Sequence, residues 1–589
     1  MNGNDSIDFG SGTDSDTAGG TASDLLASFA TRVSEAIAPV LGKNAPEPRR
    51  LAASGRVDES PLPRLFLLFI GAITLGGLLL RLPSFNDSLA GDEISTYFIV
   101  TKHSLGEVLR LVDSNQETSP PLYFLIAWVE NGVFGSTAQS IRLISLLTGT
   151  AAIPLTFLLG LWTVGRRAAL VGAACVALAP FMIFYSTEAR PYMLVLFFAL
   201  LSTIFLLHAL RTARWGPWAG YAVCTVGAAY SHYTVVFLLA PQLVWALWTN
   251  PKARPALIIA NVAAGIAFLP WLGQVRADLH APSFITASPL SFNTMESVLE
   301  NFWIGHPVIL ITNVPGNRFV AVAGAGLAVG LVGLVLRKRG EALSRWRLPS
   351  PVVPVIVLAF VPALLIIVYS WTRTDLLGGR YLIASWPALA LAIGALVTSP
   401  RRPLQVVSLG LTLVAFGAGA VMMFLPAAQR PNVNAAVAYI ERVGAKGDPI
   451  VNIPYFHNPL SELDVALDQA GQSGNHPVIR LGVPALAQQL RPLSGPHPQP
   501  QYFGLPVASA PVVASEAASL AQHKTIFLFA PIELSTLLVE YFPANPVSQF
   551  VRALPSGYHL VAQRSFPGFS GSLLAWVYVF RYTGHAAGS

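Results

Sequence analysis

Residues 64–97 read RLFLLFIGAITLGGLLLRLPSFNDSLAGDEISTY. From Leu65 to Leu80 no side chain carries a charge. With the flanking residues this is a span-length stretch, 64–82; about 20 residues at 1.5 Å each cross the roughly 30 Å apolar core of a bilayer. The run breaks at Pro83 and leads into a loop bearing Asp87, Asp92 and Glu93. A membrane span followed at once by paired carboxylates predicts chemistry at a membrane surface.

The same pattern recurs outward from this stretch. Apolar stretches lie near 141–164, 168–186, 191–210, 217–231, 233–249, 255–273, 318–336, 351–371, 381–398 and 403–425. A shorter one begins at Pro120 and runs into Glu130 and Asn131. Of 589 residues, 53% are hydrophobic and only 11% charged. A soluble chain carries about 25% charged residues, so a single soluble enzyme and a disordered protein are both excluded. The net charge is +7, but the Lys and Arg cluster between apolar stretches. They read as topology signals and not as a nucleic-acid footprint, so no nucleic-acid partner is expected. Cys175 and Cys224 lie inside apolar stretches, and no CxxC motif exists. Neither a disulfide framework nor a metal or redox motif follows.

Loop charges set the topology. Lys43, Arg49, Arg50, Arg56 and Arg64 precede the first span, which predicts a cytoplasmic N-terminus. Arg211 with Arg214, Lys252 with Arg254, the run 337–339 with Arg345 and Arg347, and Arg401 with Arg402 are cytoplasmic by the same rule. That places 83–119, 186–190, 274–317, 372–380 and the C-terminal tail outside. An even number of crossings must then fall between 119 and 186, where three apolar stretches lie. One does not cross. The segment 120–131 is short and ends in a charge, and is chosen; the Pro180-broken 168–186 is the alternative. The expectation is an α-helical polytopic membrane protein of about 11 transmembrane helices, occupying 61–427.

Residues 1–60 read as a disordered tail with an amphipathic stretch through Leu25, Leu26, Phe29, Val33, Ile37 and Val40. They lack the apolar core of a signal peptide. Residues 428–589 alternate a helix at 434–443 with strands at 449–455, 477–482, 525–530, 558–564 and 573–582, and a helix near 532–541. This reads as a separate extracytoplasmic α/β domain.

The expected outer face gathers polar groups. Asp92 and Glu93 follow Gly91; adjacent carboxylates near lipid have perturbed proton affinity, and one can act as a base while the other binds. Glu117 precedes Ser119-Pro120-Pro121-Leu122-Tyr123, where the prolines suit a helix start. Further turns carry Glu188-Ala-Arg190-Pro191-Tyr192, Tyr230-Ser231-His232-Tyr233, and Asp375 followed by Arg380-Tyr381. Arg142 joins them if the topology holds.

This ordered set resembles the GT-C membrane glycosyltransferases, and most nearly family 39, which includes protein O-mannosyltransferases and bacterial aminoarabinose and lipopolysaccharide-core sugar transferases. The motifs are Gly91-Asp92-Glu93, Ser119-Pro120-Pro121-Leu122-Tyr123, Glu188-Ala-Arg190-Pro191-Tyr192, Ser231-His232-Tyr233 and Gly379-Arg380-Tyr381-Leu382. The resemblance covers roughly 64–425; the tail piece 435–441 with Gly447-Asp448 also looks like the tail of bacterial members. It departs where members commonly have His before the Pro-Pro pair and this chain has Ser119.

The resemblance implies transfer of a sugar, with inversion, from a polyprenyl-phosphate-linked donor to an extracytoplasmic acceptor: a glycolipid, polysaccharide or protein of the cell envelope. It implies a multi-pass protein of the bacterial plasma membrane in contact with membrane lipids. On that reading Asp92 is the base and Glu93 orients a substrate. Arg190, Arg380, Arg142 and His232 meet the donor phosphate, and Glu117, Tyr192 and Tyr381 contact substrate. No metal or other cofactor is expected. Asp92, Glu93, Glu117, His103 and His232 are the residue types a divalent ion would take, but they lack a tight ligand spacing. A multi-span transporter or lipid flippase is the alternative; it calls for ionisable groups near mid-span and a half-to-half repeat, and neither is found. A structural anchor displaying the tail leaves the Asp92-Glu93 loop unexplained.

Overall fold

The computed structural model describes residues 63–583 except 115–116, 213, 279–294, 296–297, 299–301, 303–316, 339–349, 374–375, 454–459, 481–516, 521, 531–545, 567 and 569–574. The expected amphipathic stretch in 1–60, the helix near 532–541 and Asp375 lie outside the described residues.

Among the described residues, eight helices are long and apolar enough to cross a membrane, and nine if one bent pair counts as a span. They are Arg64–Phe85, Ala138–Thr163, Tyr192–Thr212, Pro251–Asp278, Phe319–Arg337, Ser350–Thr372, Gly379–Thr398 and Arg402–Met422. The protein is a multi-pass membrane protein. Trp215–Ser231 and the apolar segment Tyr233–Thr249 have 17 residues each, the short limit for a crossing. By length and composition the described residues give eight or nine spans, or more if these short segments also cross. Both doubtful segments are irregular: Leu122–Phe134 has 13 residues, and 166–186 breaks into Arg166–Leu178 and Pro180–Ser186, bent by 59°.

The bend follows from Pro180, which has no N–H for the carbonyl four residues back. Arg81, fully buried at the end of the first span, supplies donors instead. Its Nη2 donates to the Val176 carbonyl at 3.2 Å, and its Nη1 to Ala177 at 3.2 Å and Gly77 at 2.6 Å. Each orphaned carbonyl in lipid would cost several kcal/mol. Close packing does the rest of the bundling. A Cβ on Gly394 would collide with the Ala168 carbonyl, and one on Gly172 would lie 2.9 Å from Leu391. Small residues are what let helix backbones approach in a bilayer. Cys175 and Cys224 are buried and unpaired in this bundle.

Segment 83–119, expected as one loop, contains two helices, Asp92–Val100 and Leu105–Val112. The second is capped by Ser104, whose Oγ accepts from the Glu107 N–H at 3.3 Å. Leu89, Ile94, Tyr97 and Val100 pack with Val108, Tyr123 and Phe124 into a small core above the bundle.

The tail forms a five-stranded sheet in the order β2-β1-β3-β5-β4. The strands are β1 (Ile450–Asn452), β2 (Val478–Arg480), β3 (Thr525–Ala530), β4 (Tyr558–Phe566) and β5 (Ala575–Tyr582). β1 pairs with β2 and β3 in parallel; β5 pairs with β3 and β4 antiparallel. Every residue of β3 is buried, as a central strand covered on both faces requires. Helix Glu462–Gln469 lies between β1 and β2 in the chain, the long connection that a parallel pair needs.

The tail seats on the segment that carries the carboxylate pair. The Tyr97 hydroxyl donates to Asp468 Oδ2 at 2.5 Å, the Asn434 N–H to Ser88 Oγ at 3.0 Å, and Gln469 to the Ser136 carbonyl at 3.4 Å. Val465 joins the apolar core of Leu89, Ile94 and Tyr97.

Candidate active site

Gly91 has φ 61° and ψ −127°, a conformation that side chains resist. It turns the chain abruptly, so that Asp92 and Glu93 open helix Asp92–Val100. Carboxylates are favoured at that end by the unpaired N–H groups and the helix dipole. Successive helical residues point about 100° apart, and here this separates the pair. Glu93 turns inward and is fully buried. The Asp92 side chain stays 43% exposed.

Glu93 is a hub. Its Oε1 accepts from Arg142 Nε at 2.7 Å and from the Ala189 N–H at 2.8 Å. Its Oε2 accepts from Arg142 Nη2 at 2.6 Å and from the Ala90 N–H at 3.2 Å. Arg430 Nε lies 3.4 Å from the same oxygen. Burial pushes this carboxyl up, but Arg142, then Arg430, outweigh it and hold it below the usual range. Arg142 also donates to the carbonyls of Ser84, Phe85, Asp87 and Ser88. The resemblance assigns Arg142 to the donor phosphate. In the structure its whole fork is committed to Glu93 and the 84–88 backbone, so the pair ties helix Ala138–Thr163 to the loop.

Asp92 faces a different arginine. Its Oδ2 accepts from Arg380 Nη1 at 2.9 Å, with the two side chains 43% and 41% exposed. Burial raises the Asp92 carboxyl, yet Arg380 and then Arg190 prevail and hold it ionised. Among the described residues the Arg380 side chain makes no other hydrogen bond; it lies 5.1 Å over the Tyr381 ring.

Arg190 grips Glu117 in a bidentate pair, at 2.7 and 3.1 Å, both largely buried. Its Nε has no hydrogen-bond partner among the described residues. Aromatic rings link the two arginine sites. Tyr185 to Tyr192 is 5.0 Å, Tyr192 to His232 is 5.7 Å, and His232 to Tyr381 is 5.6 Å. Burial, then Arg190, then Arg380, pushes His232 down to about 3, so its ring is neutral at pH 7. Its Nδ1 accepts the Thr234 N–H at 3.3 Å, which puts the proton on Nε2, a single neutral donor.

Asp92, Glu93, Arg142, Arg190, Tyr192, His232, Arg380, Tyr381 and Glu117 therefore gather at one face of the bundle, with Asp92 and Arg380 its most accessible charges. Two residues enter that carried no assignment. Arg430, just past the last membrane helix, reaches back to Glu93; an arginine following a span on the expected outer face was the available signal. Glu188, quoted in its motif without a role, is pushed up to about 8 by burial, which Arg430 opposes and to which Glu93 and Asp92 add. Its Oε2 has no hydrogen-bond partner among the described residues. Among the same residues, no three of His, Cys, Asp and Glu come together at metal-holding distance.

Residues 118–273 match the family model described as dolichyl-phosphate-mannose-protein mannosyltransferase. No curated protein sequence matches the chain. The crystal structure of ArnT from Cupriavidus metallidurans in the apo state is similar over 88% of this chain and 98% of that one, with a TM-score of 0.50 and 14% identity. The same protein bound to undecaprenyl phosphate gives 0.49 at 14% identity, over 89% and 99% of the two chains. The oligosaccharyltransferase AglB from Archaeoglobus fulgidus, in complex with an inhibitory peptide and a dolichol-phosphate, gives 0.45 at 10% identity, over 83% and 71%. The likeness is one of fold, the GT-C membrane fold.

Proposed function

We propose that the protein transfers a sugar, with inversion, from a polyprenyl-phosphate donor to an acceptor hydroxyl of the cell envelope, outside the cytoplasmic membrane of a bacterium. The observation that carries this reading is the solvent-open Asp92–Arg380 pair at one end of the helix bundle. It sets a proton acceptor beside a cation that holds anions, where a lipid-borne phosphate and a water-borne hydroxyl meet. The family model over 118–273 supports it, being one for enzymes of a polyprenyl-phosphate sugar.

On this reading the acceptor oxygen attacks the anomeric carbon and its proton passes to Asp92. The bond from that carbon to the phosphate oxygen breaks, and the prenyl phosphate leaves as a stable anion. One base suffices, unlike the two carboxylates of glycosidases. Arg380 meets the phosphate with its remaining N–H groups, since a guanidinium presents five donors in a fixed fork. The neutral His232 adds a donor. Arg190, held by Glu117, supplies positive potential and one Nε donor. Tyr192 and Tyr381 flank the sugar. Glu93 and Arg142 hold the loop that presents Asp92, and the tail helps to choose the acceptor. The N-terminus is cytoplasmic.

The test is transfer from a panel of synthetic polyprenyl-phosphate hexoses and pentoses by the purified protein, with lipid-linked sugars profiled in a deletion strain. One donor consumed in vitro and accumulated in the strain is the expected result; a protein inert toward the whole panel overturns the reading. Arg380→Lys replaces the fork by a point charge, and donor binding is expected to weaken by about 1.5–3 kcal/mol, the worth of a hydrogen bond to a charged group. Titration with undecaprenyl phosphate measures it, and unchanged affinity removes Arg380 from the phosphate site. Because guanidinium groups supply the countercharge, turnover is expected to survive dialysis against EDTA; loss restored by a divalent ion would reassign the acids to a metal.

A further inference from the structure

Arg430 lies in the connection between the last membrane helix, ending at Met422, and the first tail helix, Val433–Val443. Its side chain is 4% exposed. Nε is 3.4 Å from Glu93 Oε2, Nη1 donates to Thr187 Oγ1 at 3.4 Å, and the guanidinium lies 4.6 Å over the Phe184 ring. One side chain thus touches the carboxylate loop, the turn that carries Arg190, and the bent helix Pro180–Ser186.

The same loop is gripped by the tail itself. Tyr97 bonds to Asp468 at the far end of helix Asp92–Val100, and Asn434 bonds to Ser88 before it. Inside, Thr96 Oγ1 donates to the Ala189 carbonyl at 2.8 Å. Asp92 is adjacent to Glu93 on this helix, so a shift of the helix at Glu93 carries Asp92 with it.

We propose that Arg430 is a positioning residue: it registers Glu93, and through it the helix that carries Asp92, so that the seating of the tail domain on Tyr97 and Ser88 becomes a condition for Asp92 to reach the reacting atoms. The inference rests on the glycosyl-transfer reading above. It makes the tail a working part of turnover and not only a reader of acceptors.

The experiment uses the full-length protein in detergent, with Arg430→Gln, Arg430→Lys and Asp468→Asn, each alone and in an Asp92→Asn background. Arg430→Gln is expected to lower kcat about 10- to 100-fold, the scale of a misplacement near 1 Å, and to leave undecaprenyl phosphate affinity within about twofold. Arg430→Lys recovers much of the loss by restoring the ion pair. Asp468→Asn acts in the same direction by about 3- to 10-fold. In the Asp92→Asn background the added loss is below about twofold, because residues that act as one unit are non-additive. An equal loss in both backgrounds means a fold defect and overturns the proposal. So does an undecaprenyl phosphate affinity that falls tenfold, which makes Arg430 a phosphate ligand, or a kcat that does not change. If the wild-type protein is inert toward every donor, the reading above fails instead. Arg430 is then judged by hydrogen exchange of 88–100, which Arg430→Gln accelerates at least about tenfold if this side chain holds the helix and leaves unchanged if it does not.

Discussion

Asp92→Asn is expected to reduce turnover by at least about 100-fold, the low end of a general base's contribution. Asn keeps the size of the side chain and can still accept from Arg380 Nη1, but it cannot take the proton of the acceptor hydroxyl. Because Arg380 and Arg190 hold the Asp92 carboxyl below the usual range, the base stays ionised as the pH falls through the ordinary carboxylate value of about 3.9. The acid limb of the wild-type kcat/KM profile therefore lies below that value, and the variant lacks this limb. Undecaprenyl phosphate affinity should hold. Near-wild-type turnover in a folded Asp92→Asn protein would move the base elsewhere, and Glu188 would then be the neighbouring carboxyl to test.

Glu93→Gln has the other large effect, on folding and turnover together. The amide fits the space, but Arg142, fully buried, loses its countercharge, and Arg430 loses its nearest anion. Removing one partner of a buried pair costs about 3–5 kcal/mol. The thermal midpoint in detergent should drop by several degrees, and turnover should fall with it even at temperatures where the variant remains folded. The contrast with Asp92→Asn is diagnostic: adjacent carboxylates, one lost for chemistry alone and one for structure as well. Unaltered thermal stability in Glu93→Gln would show that the Arg142 pair does not hold the loop.

The membrane domain was legible because hydropathy at span length is a one-dimensional signal, and loop arginines carry parity with it. The carboxylate pair was legible because acids stand out in a chain so poor in charge. Pairing was not. Glu93 meets Arg142 49 residues on and Arg430 far beyond, and which arginine closes on which acid depends on how the helix ends splay. Arg142 therefore read as a phosphate ligand when its fork is spent on Glu93 and backbone carbonyls. The helices at 92–100 and 105–112 were hidden for another reason. At 9 and 8 residues each spans barely two turns, too few for an apolar period to declare itself, and packing against Tyr123 and Phe124 decides them. The tail strands read well where a full strand is buried, as in β3.

Arg81 carries a consequence for biosynthesis. Two of the carbonyls it serves lie on Val176 and Ala177, 95 and 96 residues later in the chain. At about 5–20 residues per second of synthesis, roughly 5–20 s separate the emergence of the guanidinium from that of those acceptors. During that interval the first helix has only its own Gly77 carbonyl to offer, and the long side chain can reach up to the lipid headgroups. The hydrogen bonds of the Arg81 guanidinium are therefore complete only once the proline-broken segment has been made, and this corner forms as a pair of segments and not helix by helix.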